Sequence, residues 1–386
     1  MLSLSGGTVL DATGTTRADV IVDDGRITDV GDAPSDPDRE LDVDGQYVVP
    51  GLVDAHVHLA LDGRPDIETL RREPEFAGAY RVAANLETLL EAGVTTVRDL
   101  GSWGSMAIDA ASAVAAGTVD GPRVVAAGEA ITMTGGHGHW FGHEADGPTA
   151  VRKAAREQLK RGATTVKCMA TGGVLTTGSR TGAPELTRTE LEAAVDVARA
   201  AGVPTAAHAH GVEGIVAAAE AGIDSVEHGT FMDADAATRL SENGTRWVPT
   251  ANALYAIVEH GTDAGIPAEA VAKAERARAP FASAFEHALA ADVTIAMGTD
   301  AGTPFNAFGD VPTELERLVD HGLSPIATLE AATVNGAELL GLEDVGLVEP
   351  GYRADLLVLE SNPLEDVTAW QRPVKVISNG RIVKRS

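Results

Sequence analysis

The sequence predicts an α/β fold: a (β/α)8 barrel accompanied by a small β-sandwich that both chain ends build together. Two observations predict it. Short β-rich segments alternate with alanine-rich amphipathic segments through the middle of the chain, as repeated β-α units do. Both ends of the chain instead show the apolar–polar alternation of strands that bury one face.

Eight segments of the middle region have the composition of barrel strands. They are Val48–His58, Val94–Leu100, Arg123–Gly128, Thr164–Ala170, Val203–His208, Ile223–His228, Thr245–Thr250 and Val293–Asp300. The helical patterns between them are Pro74–Ala92, Thr149–Arg161, Thr187–Ala201, Val212–Ala221, Ala234–Asn243 and Pro267–Ala291. Several of these patterns are followed by glycine, the usual stop signal of a helix. Eight strands with intervening helices favour a barrel of parallel strands.

Both chain ends carry a hairpin signal. Asp24-Gly25 and Asn379-Gly380 each separate two short strand patterns, and these dipeptides favour two-residue hairpin turns. Neither end can bury a sheet face by itself. We therefore expect residues 1–49 and 350–386 to form one composite β-sandwich and residues 50–349 to form the barrel domain.

The composition is that of a globular protein with a sizeable core, since 44% of the 386 residues are hydrophobic. The longest apolar runs are far shorter than the roughly 20 residues that span a bilayer, so no membrane partner is expected. The amino terminus lacks the basic and apolar regions of a secretory signal, which predicts a cytoplasmic location. Cys168 is the single cysteine, which excludes an intrachain disulfide and a cysteine-based zinc site.

The charge is strongly acidic: 57 acidic against 30 basic residues give a net charge of −27. Binding to a nucleic acid backbone is therefore not expected. An acidic mesophilic enzyme is one interpretation. The other is a halophilic protein, in which dense carboxylates keep the surface hydrated when salt screens their repulsion. Only six of the basic residues are lysines, and this scarcity together with the charge favours the halophilic interpretation.

The first predicted barrel strand ends in an Asp-x-His-x-His pattern, Asp54-Ala55-His56-Val57-His58. Strand side chains alternate with period two, so Asp54, His56 and His58 are expected on one side. Two imidazoles in this arrangement can hold one metal ion, and barrel active sites lie at the carboxyl ends of the strands. For this pattern alone, two histidines packed in the barrel mouth are the alternative.

Other ligand-type residues are expected at the same end of the barrel. His208, His228 and Asp300 end the fifth, sixth and eighth predicted strands. Lys167 lies within the fourth, where burial would depress its pKa and leave a neutral amine that can react with carbon dioxide. The resulting carbamate can bridge two cations as a carboxylate does. A lysine that reaches solvent or forms an ion pair is the alternative for Lys167 in isolation, but the accompanying histidines favour the carbamate.

Taken together, these segments resemble the amidohydrolase superfamily, in its binuclear subtype with a carboxylated lysine. The resemblance covers nearly the whole chain and is greatest to the Xaa-Pro dipeptidase (prolidase-like) and imidazolonepropionase-like branch. Besides the two histidines of the first strand, it is carried by Thr165-Val166-Lys167-Cys168-Met169-Ala170-Thr171-Gly172-Gly173, Ala207-His208-Ala209-His210-Gly211, Val226-Glu227-His228-Gly229-Thr230 and Gly298-Thr299-Asp300.

The resemblance implies a binuclear centre with two divalent cations, Zn²⁺ first and Mn²⁺, Co²⁺ or Fe²⁺ as alternatives. The implied ligands are His56, His58 and Asp300 for the more buried cation, His208 and His228 for the second, and the carbamate of Lys167 as the bridge. The implied reaction is hydrolysis of a C–N amide bond by a metal-bridging hydroxide, with Asp300 as general acid and base.

The expected substrate is a small-molecule amide, either a dipeptide (Xaa-Pro-like) or an N-acyl amino acid, and the resemblance also implies a homo-oligomer. A cyclic amide of the lactam or imidazolone type is the first alternative. Deamination is the second, but related deaminases place a glutamate three residues after the fifth-strand histidine, where this chain has Gly211. A non-catalytic scaffold would have lost ligands, and all six are present.

Substrate contacts are expected from two loops. Relatives place a glycine-rich loop like 134–140 beside the substrate carbonyl or carboxylate, so His137 and His139 are candidate hydrogen-bond donors to an oxyanion, with His137 assigned a catalytic role. Arg180 is a candidate partner for a substrate carboxylate. A structural turn and a solvated arginine are the respective alternatives.

Two further positions bear on specificity. His210 is expected in the pocket or behind a metal ligand, with an ordinary hydrogen-bonded residue as the alternative. Phe231 stands where relatives often have a tyrosine that meets the substrate carboxylate. This departure favours an N-acyl amino acid, an aryl amide or a lactam over a dipeptide.

Overall fold

The computed structural model of the protein describes residues 1–31 and 37–385, which form 19 strands and 11 α-helices. In chain order the strands are β1 (Leu2–Ser5), β2 (Thr8–Asp11), β3 (Gly14–Arg17), β4 (Asp19–Asp23), β5 (Arg26–Gly31), β6 (Arg39–Asp42), β7 (Tyr47–Pro50), β8 (Leu52–Val57), β9 (Val94–Asp99), β10 (Arg123–Ala126), β11 (Ile131–Thr132), β12 (His143–Glu144), β13 (Val166–Met169), β14 (Thr205–Ala209), β15 (Ser225–His228), β16 (Arg246–Val248), β17 (Leu356–Leu359), β18 (Lys375–Ser378) and β19 (Arg381–Arg385).

The α-helices are α1 (Glu75–Glu91), α2 (Met106–Ala115), α3 (Pro148–Arg161), α4 (Arg188–Ala201), α5 (Val212–Ala221), α6 (Ala234–Asn243), α7 (Ala251–His260), α8 (Ala268–Ala290), α9 (Val311–Asp320), α10 (Pro325–Ala332) and α11 (Val334–Leu339). Short 3-10 helices lie at Ile67–Arg72, Thr262–Ala264 and Val367–Gln371. The six helices named from the sequence are present, with bounds that differ by at most one residue at either end. None of the described helices is long and apolar enough to cross a membrane.

Two sheets contain strands from the chain ends. One has the order β5-β4-β1-β6, and the other, β19-β18-β17-β7-β2-β3, combines strands from both ends. Asp24 and Gly25 join β4 to β5, and Asn379 and Gly380 join β18 to β19, with positive φ at all four residues. Both hairpin predictions are therefore confirmed. The assignment of residues 1–49 and 350–386 to a separate domain stays a prediction.

The six-stranded terminal sheet is buried on both faces at its centre. In β17, Leu356 and Val358 join the apolar cluster shared by the two terminal sheets. The alternate residues Leu357 and Leu359 join the larger cluster formed with the barrel strands and helices. Because strand side chains point to opposite faces in turn, one strand contributes to both cores. This placement explains why β17 is an uninterrupted apolar run instead of an alternating one.

The middle of the chain forms parallel sheets with the orders β10-β9-β8 and β12-β11-β13-β14-β15-β16. Backbone hydrogen bonds continue between them, since the N–H of Thr164, just before β13, donates to the carbonyl of Ala126 in β10 (2.9 Å). The segment 294–301 bonds to β16 on one side and to β8 on the other. Eight segments are thus linked in series, in the order expected of a (β/α)8 barrel.

The first predicted strand, Val48–His58, is two strands. β7 belongs to the terminal sheet and β8 to the barrel, and the chain passes from one to the other at Gly51. A Cβ atom at Gly51 would lie 2.2 Å from Oγ1 of Thr95, so only glycine allows this close approach.

The eighth predicted strand, Val293–Asp300, is an extended segment with one bridge, from Ile295 to Trp247, instead of a regular strand. It nevertheless follows β8 closely: a Cβ atom at Gly298 would lie 3.0 Å from the backbone nitrogen of His56. At Thr299 a side chain takes the place of a ladder partner, because the backbone N–H and the hydroxyl of Thr299 both donate to the Asp54 carboxylate (3.1 and 2.7 Å).

Candidate metal centre

A cavity opens at the carboxyl ends of the parallel strands, and most of the residues singled out in the sequence line it. These are His56, His58, His137, Lys167, His208, His210, His228 and Asp300. Two groups of three among them have ligand atoms within 4.8 Å of one another: His56 with His58 and Asp300, and His208 with His210 and His228. The rings of His56 and His228 lie 5.2 Å apart and connect the two groups.

The first group is built from β8 and the eighth barrel segment. Nε2 of His56 and Nε2 of His58 lie 3.4 and 3.2 Å from Oδ1 of Asp300. All three side chains are buried. Ligand atoms that share one tetrahedral ion at about 2.0–2.1 Å are about 3.3 Å apart, so these separations suit a common cation.

In three of the histidine rings a hydrogen bond at Nδ1 leaves Nε2 facing the cavity. Nδ1 of His58 donates to the carbonyl of Gly101 (2.8 Å), and Nδ1 of His56 donates to the carboxylate of Glu227 (2.8 Å). Nδ1 of His228 donates to the hydroxyl of Thr250 (2.7 Å), whose own proton goes to a backbone carbonyl. In all three rings the proton is on Nδ1 and the lone pair of Nε2 is left for a ligand.

The donor set fits divalent cations. Two imidazole lone pairs and an anionic oxygen at these distances repel one another unless a positive charge lies among them. Nε2 of His208 and Oδ1 of Asp300 are buried and have no hydrogen-bond partner among the described residues. Such orphaned atoms are rare in folded proteins, and a bound cation would satisfy both. Imidazole and carboxylate without thiolate suit Zn²⁺ and its neighbours.

Burial keeps the imidazoles of His56, His208 and His228 neutral, as metal ligation requires. It lowers the pKa of His56 to about 4, with a further contribution from the Lys167 charge. It lowers the pKa values of His208 and His228 well below 6.5. His58 differs, because the Asp300 carboxylate outweighs its burial and raises its pKa. The space between His58 and Asp300 therefore attracts positive charge.

Lys167 lies in β13 and is 2% exposed. Burial lowers the pKa of its ammonium to about 8, against the opposing effect of the Glu227 and Asp300 carboxylates. Its side chain lines the same cavity as the imidazoles, and Glu227 and Asp300 are the carboxylates that act on its charge.

Two proposed ligands and one of their partners have left-handed backbone conformations. His228 has a φ of 67°, Asp300 of 57° and Thr250 of 54°. Non-glycine residues rarely adopt such values, and where they do the surrounding structure must hold them in place. These residues lie at the carboxyl ends of β15, β16 and the eighth segment. Their backbone conformation sets the direction in which each side chain points into the cavity.

His137 approaches the centre from the glycine-rich loop. Its ring lies 4.2 Å from that of His208, and a Cβ atom at Gly173 would collide with it. Its backbone N–H donates to Glu185 (2.8 Å), and its Nδ1 lies 2.8 Å from the hydroxyl of Thr176. These contacts hold the loop against the candidate ligand His208.

Three other predicted substrate contacts do not line the cavity. His139 and Arg180 are exposed, and Phe231 packs against Gly182 instead. The remaining wall is largely apolar. Its larger side chains are Leu61, Ile67, Trp140, Phe141, Leu175, Leu254, Ile257 and Phe281. Lys167 is the only lysine or arginine among the described residues that line it.

The residues behind the candidate ligands were not among the candidates predicted from the sequence. Arg98 and Glu227 are fully buried within β9 and β15, and Glu227 contacts His56. Both are charged residues in the middle of predicted buried strands. Because a buried charge needs a partner, this position could have identified them from the sequence.

Comparison with known proteins agrees with this geometry. Residues 47–383 match the amidohydrolase family, so the chain belongs to that family. Ochratoxinase of Aspergillus niger is 31% identical over 360 residues, covering 85% of this chain and 73% of ochratoxinase. Imidazolonepropionase of Rhizorhabdus wittichii is 27% identical over 388 residues, covering 88% of this chain and 87% of the relative.

A solved structure of a prolidase complexed with N-methylphosphonate-L-proline is also similar, with a TM-score of 0.93 and 32% identity over 100% of both chains. These relatives confirm the resemblance and the fold class. The protein is a hydrolase that acts on carbon–nitrogen bonds.

Proposed function

We propose that the protein is a binuclear metal-dependent hydrolase that cleaves the amide bond of an N-acyl amino acid or a dipeptide with bulky apolar groups. The observation that carries this proposal is the pair of adjacent ligand groups, in which the lone pairs of fixed imidazoles converge with a buried, unpartnered carboxylate oxygen. The family membership supplies the bond type.

Each cation has a proposed set of ligands. His56, His58 and Asp300 would hold one, and His208 and His228 the other, with a carbamate on Lys167 between them. The bound cations would lower the pKa of a water molecule and polarise the scissile carbonyl. His210 lies near enough to the second group to act as a further imidazole beside it.

The carbamate is supported by the environment of Lys167. Only the neutral amine reacts with carbon dioxide, and a pKa of about 8 instead of 10.5 raises its neutral share near pH 7 roughly 300-fold. Carbamate formation would replace the positive charge of Lys167 by a negative one in the cavity that the imidazoles also line.

Proton transfer is assigned to Asp300. Its carboxylate would take the proton of the attacking water and deliver it to the leaving nitrogen, which must gain a proton as the C–N bond breaks. Its pKa lies below the usual range because, against the effect of burial, His56 and His58 favour its charged form. Asp300 is therefore ionised and ready to accept a proton near neutral pH.

His137 is the proposed donor to the carbonyl oxygen. Burial, aided by His210, lowers its pKa to about 3, so the ring is neutral. The Thr176 hydroxyl accepts the N–H of Gly138 (3.0 Å), which leaves its own proton for Nδ1 of His137. The ring proton then resides on Nε2, where it can stabilise charge that develops on the substrate oxygen.

The substrate class follows from the cavity wall. Trp140, Phe141, Leu254 and Phe281 provide aromatic and aliphatic surface, and no arginine lines the cavity among the described residues. Recognition should therefore depend on apolar bulk more than on pairing with a carboxylate. This property favours N-acyl amino acids and dipeptides with aromatic side chains over small polar dipeptides.

A metal titration combined with a substrate screen tests the proposal. The metal-free protein should bind close to two equivalents of Zn²⁺ per chain and regain amide hydrolysis. In a matched series, kcat/KM should be higher for N-acyl-phenylalanine than for the same acyl group on glycine, with lactams turned over poorly. One equivalent of metal, with release of ammonia from amino-substituted heterocycles, would instead indicate a deaminase.

Lys167→Ala tests the bridge. We expect it to lose at least one cation and most activity, and a short-chain carboxylic acid such as propionate should restore part of both by replacing the carbamate. Lys153→Ala, which removes an exposed lysine from α3, is the control and should behave as the wild type. Full activity of Lys167→Ala without any additive would disprove the bridging role.

A further inference from the structure

A chain of buried charged groups extends from the candidate metal centre through the interior of the barrel. It begins at Nδ1 of His56, which donates to Oε2 of Glu227 (2.8 Å), and continues from Oε1 of Glu227 to a guanidinium nitrogen of Arg98 (3.1 Å). Arg98 and Glu227 have no solvent exposure, and His56 is 1% exposed. The chain joins β8, β15 and β9.

Arg98 acts on His56 through two of its neighbours. Its Nε donates to the carbonyl of Ala55, directly before His56 (2.7 Å), while its Nη2 holds the glutamate that holds the His56 ring. The Ser225 hydroxyl donates to the same glutamate oxygen (2.5 Å) and accepts from Arg98 (3.0 Å). Both the backbone and the ring of His56 are therefore fixed by one assembly.

Such an assembly is costly to bury. Both the arginine and the glutamate lose their hydration on burial, and a well-packed apolar pair of similar volume is often at least as stable. Stability alone therefore does not account for these charges. Their placement behind one ring nitrogen of a candidate ligand indicates a role at that ligand.

We propose that Glu227 and Arg98 are positioning residues that hold His56 with its proton on Nδ1 and thereby set the affinity of the centre for the cation at His56, His58 and Asp300. Glu227 accepts the Nδ1 proton, and Arg98 with Ser225 orients Glu227. The inference rests on the metal centre of the proposed function but not on the substrate.

Glu227→Gln is the main test, because it keeps the volume of the side chain and removes its charge. Glu190→Gln is the matched control: Glu190 is also buried, but it caps α4 outside the cavity. Metal-free proteins are titrated with Co²⁺ in bicarbonate-containing buffer, with chelator competition for affinity and visible absorption for ligand geometry. Circular dichroism and thermal unfolding of the metal-free forms measure any structural effect.

Glu227→Gln should lower the affinity for one of two Co²⁺ ions by about 10- to 100-fold and change its absorption, while the second ion binds as in the wild type. Glu190→Gln should bind both ions with wild-type affinity and spectra. Unchanged affinity and absorption in folded Glu227→Gln would overturn the inference. So would an equal loss of both ions, because that indicates general damage to the barrel.

Ser225→Ala provides a second route if Glu227→Gln does not fold. It removes one hydrogen bond from Glu227 and leaves both charges in place. The same single ion should weaken, to a smaller extent, and wild-type binding of both ions by this variant would also overturn the inference. A wild-type protein that binds two ions but hydrolyses no amide contradicts the proposed function alone, whereas one that binds no ions contradicts both.

Discussion

At the scale of single residues, the centre depends on atoms whose protonation is fixed by neighbours distant in sequence. The ligand types were readable from the sequence because they stand at the ends of β-rich segments. The proton positions were not, since they depend on Gly101, Glu227 and Thr250, which only the fold brings to the rings. The positive φ values of His228 and Asp300 were equally hidden, because neither residue type requires them.

Glu314 allows a prediction about pH. It is buried in α9 and accepts the N–H groups of Ala251 and Asn252 at the start of α7 (2.8 and 2.7 Å). Burial nevertheless raises the pKa of its carboxyl from 4.5 to about 8. Between these pH values the folded protein holds a proton that the unfolded chain has released, so this group's stabilising contribution is complete below pH 4.5 and is lost as the pH rises to about 8.

Glu314→Gln should therefore show a weaker fall of the unfolding free energy between pH 5 and pH 8 than the wild type. Urea unfolding of the metal-free proteins at both pH values measures the difference. Glu242→Gln, an exposed change in α6, serves as the control and should follow the wild type. Parallel pH profiles for Glu314→Gln and the wild type would show that Glu314 is already ionised in the folded protein.

At the scale of elements, the sequence located the regular strands and helices well and the irregular ones poorly. Alternating patterns and glycine stop signals identified β9, β14, β15 and α4 to α6 within a few residues. The first and eighth barrel strands were harder. Gly51 lies close to Thr95, and Gly298 lies close to His56. A sequence pattern does not show which distant segment of the chain a glycine contacts.

Gly298→Ala tests the contact between the eighth segment and β8. Its Cβ atom would lie 2.5 Å from Val248 and 2.8 Å from Cβ of His56, so the backbone beside two candidate ligands must shift. We expect a loss of about 1–3 kcal/mol in unfolding free energy and weaker metal retention. Gly309→Ala is the matched control, because its nearest neighbour would be Thr88 at 3.7 Å.

Urea unfolding and metal analysis of the two alanine variants decide this prediction. Gly309→Ala should stay within about 0.5 kcal/mol of the wild type and keep its metal. If Gly298→Ala does the same, β8 and the eighth segment are not packed as tightly as the structure shows.

At the scale of the whole molecule, the net charge can be read directly from the sequence. The fold does not explain why acidic residues are in such excess. The net charge of −27 is distributed over the entire chain. Exposed ion pairs such as Arg188–Glu220 and Arg17–Asp44 use only part of the acidic surface, and each contributes at most about 1 kcal/mol. Repulsion among the remaining carboxylates should therefore dominate the response to salt.

Thermal unfolding in 0.1 M and 2 M KCl tests the halophilic interpretation. Raising the salt shortens the screening length from about 10 Å to less than about 3 Å, which weakens the repulsion between carboxylates more than it weakens short ion pairs. The unfolding temperature should hold or rise, and activity should persist. Progressive unfolding above 1 M KCl would contradict this interpretation.

The pairing of β7 with β17 has a consequence for biosynthesis. β7 leads through Gly51 directly into β8, which contains His56 and is followed by His58, yet the partner of β7, β17, follows about 300 residues later in the chain. While the ribosome is still making the barrel, β7 lacks its neighbour β17, so the strand that leads to His56 and His58 is unpaired on one edge. Stable binding of a cation by His56, His58 and Asp300 should therefore begin only after the barrel has been translated.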